Sequence, residues 1–331
     1  MCCFEVLLND FMICKICGNA HDHKTFQVRE MMFGYREWFT YFQCSRCACL
    51  QIAEIPADMA KYYPANYYSL TQSPVEHFKN PVKNAIRKLR NNYAFFGNGI
   101  LGRWLYEKYP AEYFQSLSRV PDLTRTTRIL DVGCGAGALL YALRESEFEN
   151  LLGVDPFIET DIEYENGLKI LQKKIDDLVG EWDLIMFHHV FEHLPDPLEA
   201  LQAASRLLAP TGACLIRTPT VSSWAWEHYG VNWVQLDAPR HFFIHSLDSL
   251  ERVAKKANLQ LTQIVYDATT LQFWGSEQYR KNIPFMSEQS YFINPSRSVF
   301  SRAEINQFKQ KTRQLNDSEQ GDAAAFYLKK N

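Results

Sequence analysis

The sequence predicts an α/β fold: a doubly wound, mostly parallel sheet with helices on both faces, preceded by a small cysteine-rich module. Three observations carry this expectation. From Arg128 onward, short apolar runs alternate with stretches of helical spacing, the pattern of a parallel sheet covered on both sides. A glycine-rich turn, Gly133-Cys-Gly-Ala-Gly137, joins the first apolar run to the first of those helices. Ahead of this region stand two C-x-x-C pairs, Cys14/Cys17 and Cys44/Cys47.

The elements follow in order. Aromatic-rich alternation around Phe33 to Phe42, between the cysteine pairs, suits small strands. Pro81 to Tyr93 has a helical and basic texture. Ile129 to Val132 reads as a strand, Ala138 to Arg144 as a helix, and Leu151 to Asp155 as a second strand. Leu168 to Ile170 gives a third strand and Trp182 to Phe187 a fourth. Leu198, Leu201, Leu207 and Leu208 fall at helical spacing. Ala213 to Arg217 is a fifth strand, Ser246 caps a helix reaching Ala257, and Leu259 to Val265 returns to strand. The boundaries implied are a metal-binding module over 1–58, a helical, aromatic-rich cap over 59–122, a catalytic domain over 123–300 and a polar, Gln-rich tail over 301–331, expected to be partly disordered or a loosely docked helix.

With 331 residues, 47% hydrophobic and 22% charged, the chain can bury a large core. A formal charge of −3 offers no basic excess for nucleic acid. No run approaches the roughly 18 apolar residues of a membrane helix. The N-terminus lacks a basic lead and carries Glu5 and Asp10, unlike a secretory signal. Met12 is a second candidate start of translation. Nine cysteines, four of them in C-x-x-C pairs, point to metal in a reducing compartment. A cytoplasmic location is therefore expected.

The glycine turn carries the first chemistry. Gly133, Gly135 and Gly137 let the backbone approach a ligand without a clashing Cβ, and the following helix N-terminus favours a polar or negative group. A dinucleotide fingerprint is spaced G-x-G-x-x-G, and a P-loop adds Lys-Ser or Lys-Thr. This turn reads G-x-G-x-G, with Asp131 two residues upstream. A carboxylate there suits a cationic ligand better than a pyrophosphate. Asp155, ending the second strand, can accept both hydroxyls of a ribose.

These residues resemble the class I, Rossmann-like methyltransferases that use S-adenosylmethionine. The resemblance covers roughly residues 125–265. It matches Asp131, Gly133, Gly135 and Gly137 to the family's first motif and Asp155 to its ribose-binding acid. It implies that Asp176 or Asp177 holds the adenine amino group, and that His188, ending the fourth strand, lies beside the methionine part. Phe191-Glu-His-Leu-Pro-Asp-Pro and Leu208-Ala-Pro-Thr-Gly-Ala match the segments around the next helix. Trp233-Val-Gln-Leu-Asp-Ala-Pro-Arg-His241 resembles a segment of methyltransferases of sugar, polysaccharide and other small-molecule biosynthesis, where a histidine closes the motif.

Cys14, Cys17, Cys44 and Cys47 can supply four thiolates to one structural Zn²⁺, with His21, His23 and Cys49 as spare ligands. Cys134, inside the glycine loop, is expected to pack; Cys2, Cys3 and Cys214 carry no visible role. Ligands of doubly wound sheets bind beyond the strands' carboxyl ends, which gathers His188, His189, Glu192 and His193, then Pro219, Trp224, Trp226, His228, Trp233, Asp237, Arg240 and His241. Methylation of oxygen or carbon needs a proton removed, and histidine does this near neutral pH. His241 is the first candidate base, with Glu192 and His189 next. The aromatic residues 224–233 could stack on a sugar or form core. Lys79, Lys83, Arg87, Lys88 and Arg90 could meet a nucleotide or lipid diphosphate carrier, or only solvent. Tyr67 and Tyr68 could cover the cofactor.

The expected function is O- or C-methylation of a small-molecule acceptor, a sugar or carrier-linked sugar. The alternatives are a protein or RNA methyltransferase recognising its target through the zinc module, and a non-catalytic cofactor-binding module. The Asn-Pro-Pro-Tyr signature of amino-group methylation does not follow the fourth strand.

Overall fold

A computed structural model describes residues 12–64, 73–111 and 114–331. Three short strands come first, Lys24–Arg29 (β1), Trp38–Gln43 (β2) and Leu50–Ile52 (β3), followed by helices Val75–Phe78 (α1), Pro81–Phe96 (α2) and Ile100–Lys108 (α3). The main fold begins with Arg128–Val132 (β4), Ala138–Glu145 (α4), Asn150–Val154 (β5), Ile162–Glu163 (β6), Lys169–Leu171 (β7) and Trp182–His188 (β8). It continues through Pro197–Leu207 (α5), Leu208–Pro219 (β9), Trp224–Tyr229 (α6), Phe243–Ile244 (β10), Leu247–Lys256 (α7) and Leu259–Tyr266 (β11). Leu271–Arg280 (α8), Arg302–Asp317 (α9) and Ala323–Lys330 (β12) complete it. Tyr67, Tyr68, Cys2 and Cys3 lie outside the described residues.

The eight-stranded sheet has the order β11-β12-β9-β8-β4-β5-β7-β6. Strands β9, β8, β4, β5 and β7 are parallel, while β6 and β12 pair antiparallel with their neighbours. From β4 the chain goes to β5 on one side and later to β8 on the other. This reversal opens the crevice beyond the carboxyl ends of β4, β5 and β8, where such sheets bind ligands. Local sequence builds these elements as expected. Asp196 caps α5 by accepting from Glu199 N–H, and Ser246 caps α7 by accepting from Ser249 N–H. Leu208 opens β9 and does not extend α5.

The C-terminal segment corrects the sequence expectation. It is neither a tail nor a loosely docked helix. Ser301 and Glu304 form a capping box that starts α9, and β12 fills the sheet between β9 and β11. Its first six residues, Ala323 to Leu328, are all buried. A continuous apolar run bounded by Gly321-Asp322 and Lys329-Lys330 is what a strand covered on both faces requires. Three alanines hide it, because they lack the β-branched texture of a strand.

The N-terminal module is separate in sequence but not in space. Its sheet has the order β1-β2-β3-β10, so the last strand comes from residues 243–244. Cys14, Cys44, Tyr41 and Leu50 share one apolar core with Phe191, Leu250 and Phe326. Tyr41 Oη donates to the His241 carbonyl oxygen at 2.8 Å, and Lys256 Nζ donates to the Ile16 carbonyl oxygen at 2.6 Å.

Candidate active site and cysteine cluster

The glycine turn between β4 and α4 places Gly133, Gly135 and Gly137 at φ +71°, +55° and +74°. A Cβ on Gly133 would lie 2.5 Å from Val190, and one on Gly137 2.5 Å from Ile170. The backbone thus turns where no other residue fits. Gly135 N–H donates to Asp155 Oδ2 at 2.8 Å, and Phe157 N–H donates to Asp155 Oδ1 at 2.9 Å. Burial raises the Asp155 pKa despite these two donors. Asp131, at the end of β4, is 3% exposed and its Oδ1 has no hydrogen-bond partner. Burial, helped by the nearby Asp155 charge, pushes its pKa up to about 8. A buried carboxyl with an orphaned oxygen and a second carboxylate on the loop fit a ligand bearing a positive charge and hydroxyls. The Phe157 ring is 79% exposed beside Asp155; sequence reasoning missed this apolar face. Cys134 packs over Gly153, as expected of it.

A second group gathers beyond β8. The His188 Nε2 is buried without a partner, and burial, with the Arg217 charge, lowers its pKa to about 3. His189 takes φ +54° and is half exposed. Arg217, which can only donate, meets His189 Nε2 and pairs with Asp267 at 2.5 Å. The His189 proton therefore sits on Nδ1, 3.4 Å from Glu192 Oε1. Glu192 is fully buried and its Oε2 accepts from Thr218 Oγ1 at 2.9 Å. Burial alone would raise its pKa, but the neighbouring imidazoles of His189, His193 and His241 bring it down to about 2.

His241 reaches the same place from a distant segment. His241 Nδ1 lies 2.7 Å from the Gln235 carbonyl oxygen, and His193 Nδ1 lies 2.9 Å from that of Arg240. Carbonyl oxygens only accept, so both rings carry N–H at Nδ1 and leave Nε2 with a lone pair. The two rings meet edge to face at 4.7 Å. Glu192, His193 and His241 each bring a ligand atom within 4.8 Å of the others, a spacing that could hold a proton or a divalent cation. The structure thus brings together the three nominated catalytic residues, His241, Glu192 and His189, and adds His193 and Thr218.

The segment carrying His241 is clamped from the N-terminal module. Arg240, fully buried, pairs with Asp237 and donates to the Tyr62 carbonyl oxygen at 3.3 Å, with Glu30 Oε1 at 3.9 Å. Glu30 in turn accepts from the N–H groups of Phe33 and Tyr35, both at 2.7 Å. Sequence reasoning missed Glu30, because its partner is about two hundred residues away. Trp226 and Trp233 are core residues, and Trp233 Nε1 donates to Asp322 at 2.9 Å. Trp224 remains partly accessible, stacking on His228 at 4.2 Å. Asp176 lies on a short 3₁₀ turn after β7, 3.7 Å from Arg206 of α5.

Cys14, Cys17, Cys44 and Cys47 form a cluster whose sulfurs all lie within 4.8 Å of one another. Each pair sits in a tight knuckle: Gly18 N–H donates to the Cys14 carbonyl oxygen and Ala48 N–H to that of Cys44. Four sulfurs around a zinc ion at ~2.3 Å would stand about 3.8 Å apart; Cys14–Cys47 and Cys17–Cys44 are each 3.5 Å. Hydrogen bonds from Cys47, backbone N–H groups and the Gln51 amide pull the Cys14 pKa down to about 4 against burial. The donor set therefore fits a thiophilic metal. The spare ligands turn elsewhere, with His23 Nε2 at 3.1 Å from the Asn19 carbonyl oxygen and Cys49 Sγ at 3.6 Å from that of Ile244.

A family model described as a methyltransferase domain matches residues 105–264. Curated relatives include the ubiquinone biosynthesis O-methyltransferases of Actinobacillus pleuropneumoniae, 34% identical over 44% of this chain and 73% of the relative, and of Methylococcus capsulatus, 32% identical over 44% of this chain and 70% of the relative. That of Histophilus somni is 26% identical over 47% of this chain and 75% of the relative. Among solved structures, the cyclopropane synthase MmaA2 from Mycobacterium tuberculosis is similar with a TM-score of 0.43 and 16% identity, covering 68% of this chain and 85% of that one.

Proposed function

Since the chain belongs to the S-adenosylmethionine-dependent methyltransferases, we propose that it methylates an oxygen, or a carbon acidified by its neighbours, of a hydroxylated small molecule, a sugar or sugar-bearing metabolite. The observation that carries this reading is the His241 ring. Its Nδ1–H is fixed on the Gln235 carbonyl oxygen, so Nε2 is left as an acceptor beside Glu192 and His193. That is the tautomer a general base needs.

The cofactor, when bound, supplies an electrophilic methyl group on a cationic sulfur. Asp155 would accept the ribose hydroxyls, and Asp131, with its unpartnered Oδ1, would face the cationic end of the ligand. The Phe157 ring would flank the adenine, Asp176 would take its amino group, and His188 would border the methionine part. His241 Nε2 would take the proton from the acceptor atom that receives the methyl group. Glu192, held by Thr218 and His189, stabilises the resulting imidazolium. The four clustered cysteines would hold one structural zinc ion.

A second reading, an aromatic hydroxyl as acceptor, is favoured by the similarity to ubiquinone biosynthesis O-methyltransferases at 32–34% identity. Labelled S-adenosylmethionine offered with sugar nucleotides and, separately, with dihydroxylated aromatics distinguishes the two. Label on the sugar arm supports the first; label confined to the aromatic arm overturns it. Cofactor binding without turnover on any acceptor, including protein and RNA, would favour a binding module. Asp155→Ala should weaken cofactor binding by about 1–3 kcal/mol in calorimetry, through the ribose hydroxyls left without an acceptor.

A further inference from the structure

The hairpin of α2 and α3 is a basic and apolar surface that the methyl-transfer site does not use. Val82, Ile86 and Leu89 follow one another along a single face of α2, and Ile100, Leu101 and Trp104 along α3. All six are exposed: Val82 is 67% exposed, Ile100 91% and Trp104 53%. Gly102 lets the two helices cross closely, since a Cβ there would meet the Leu89 carbonyl oxygen at 2.4 Å. The inner side of the hairpin docks elsewhere, through Phe95 and Phe96 on Phe148 and Asn91 on Ser146. The exposed stripes are therefore a surface by construction.

Charge follows the same stripes. Residues 73–111 hold seven basic side chains against two acidic ones, in a chain whose formal charge is −3. Lys83 and Lys88 flank the α2 stripe, and Lys108 Nζ lies 5.1 Å above the Trp104 ring and 5.4 Å above that of Tyr109. Aliphatic side chains on helical faces, edged by lysine, with tryptophan and tyrosine at the margin, are the pattern of a helix lying in a bilayer interface. We propose that the α2–α3 hairpin docks the protein onto the surface of an anionic lipid membrane. A second copy of the chain is disfavoured, because a two-fold contact would set the basic fringe against itself. Nucleic acid is disfavoured because the stripes would bury aliphatic groups against phosphates.

The test is flotation of the full chain with vesicles of phosphatidylcholine alone and with about one third phosphatidylglycerol. Expected is binding to the anionic vesicles, at least ~10-fold above the neutral ones and reduced several-fold at high salt. Trp104→Glu and Ile100→Glu should each abolish it, and Lys83→Glu with Lys88→Glu should cut it several-fold. Calorimetric cofactor affinity and the melting temperature should stay unchanged, which separates lost docking from lost folding. Equal recovery with neutral and anionic vesicles, or binding unaltered in all the variants, overturns the proposal. So does a concentration-dependent dimer, abolished by Trp104→Glu, in a protein that ignores vesicles.

Discussion

His241 and Asp131 are the residues on which the proposed chemistry turns, and each makes a separable demand. With Nδ1–H held by a backbone carbonyl, the proposed base role puts His241 on the acceptor and not on the cofactor. His241→Ala should reduce turnover by roughly 10²–10⁴-fold while leaving cofactor affinity nearly unchanged. A variant of near-normal turnover would move the base to Glu192 or His189. Asp131 makes the opposite demand. Its pKa, raised to about 8 by burial and by Asp155, leaves the free protein mostly protonated there at neutral pH. A cationic ligand favours the ionised form, so binding should release a proton, and affinity should rise with pH up to about 8. Calorimetry in buffers of different ionisation enthalpy measures that proton, and Asp131→Asn should remove both the release and the pH dependence. Glycine spacing, Asp131 and Asp155 were legible in the sequence because they lie on one contiguous strand–turn–helix–strand. The clamp of Glu30, Arg240 and Asp237 on the His241 segment was not, because its members meet only after folding.

Among the elements, β12 decides most. It pairs antiparallel with both β9 and β11, and six of its eight residues are buried. A charge placed there has no partner and no water. Ala325→Asp should therefore cost about 3 kcal/mol or more, and removal of residues 320–331 should abolish cooperative unfolding, both followed by circular dichroism. A truncated protein that melts like the full chain would show that the strand contributes nothing to the sheet. The parallel core strands are visible as apolar runs between turn signals, whereas β12 reads in the sequence as part of a polar tail. Its alanines carry no strand texture, and only the gap between β9 and β11 gives them a place.

At the scale of the whole molecule, the cysteine module and the catalytic fold stand or fall together. One zinc per chain is expected by elemental analysis. Cys44→Ser should release it, and the loss should spread beyond the module, since β3 pairs with β10 and Tyr41 holds the His241 carbonyl oxygen. Turnover should fall with zinc content; turnover unaffected by complete zinc loss would break that coupling. The buried titrating groups also set a pH profile. His188 and His245, lowered to about 3 and about 4, contribute stability that is lost as pH falls from the ordinary value of 6.5. Asp131 and Asp322, raised to about 8 and about 7, contribute stability that is full below the ordinary 3.8 and lost as pH rises through those values. The two pairs offset each other in mild acid. Of these four groups only the carboxyls still titrate above 6.5, so their contribution to the melting temperature should fall between pH 6.5 and 8, and less so with saturating S-adenosylmethionine beside Asp131.

The sequence by itself determined the α/β class, the succession of core strands around the glycine turn, the glycine motif itself and the two C-x-x-C pairs. All of these rest on short-range spacing, which the chain displays before it folds. Tertiary structure decided what depends on contacts between distant segments. It placed Ala323–Lys330 inside the sheet, and it joined residues 243–244 to the strands of the cysteine module. It also brought His241 from beyond β9 to Glu192 and His193 beyond β8. Such contacts form only where burial of the intervening core offsets the entropy of closing long loops, and no local pattern records them.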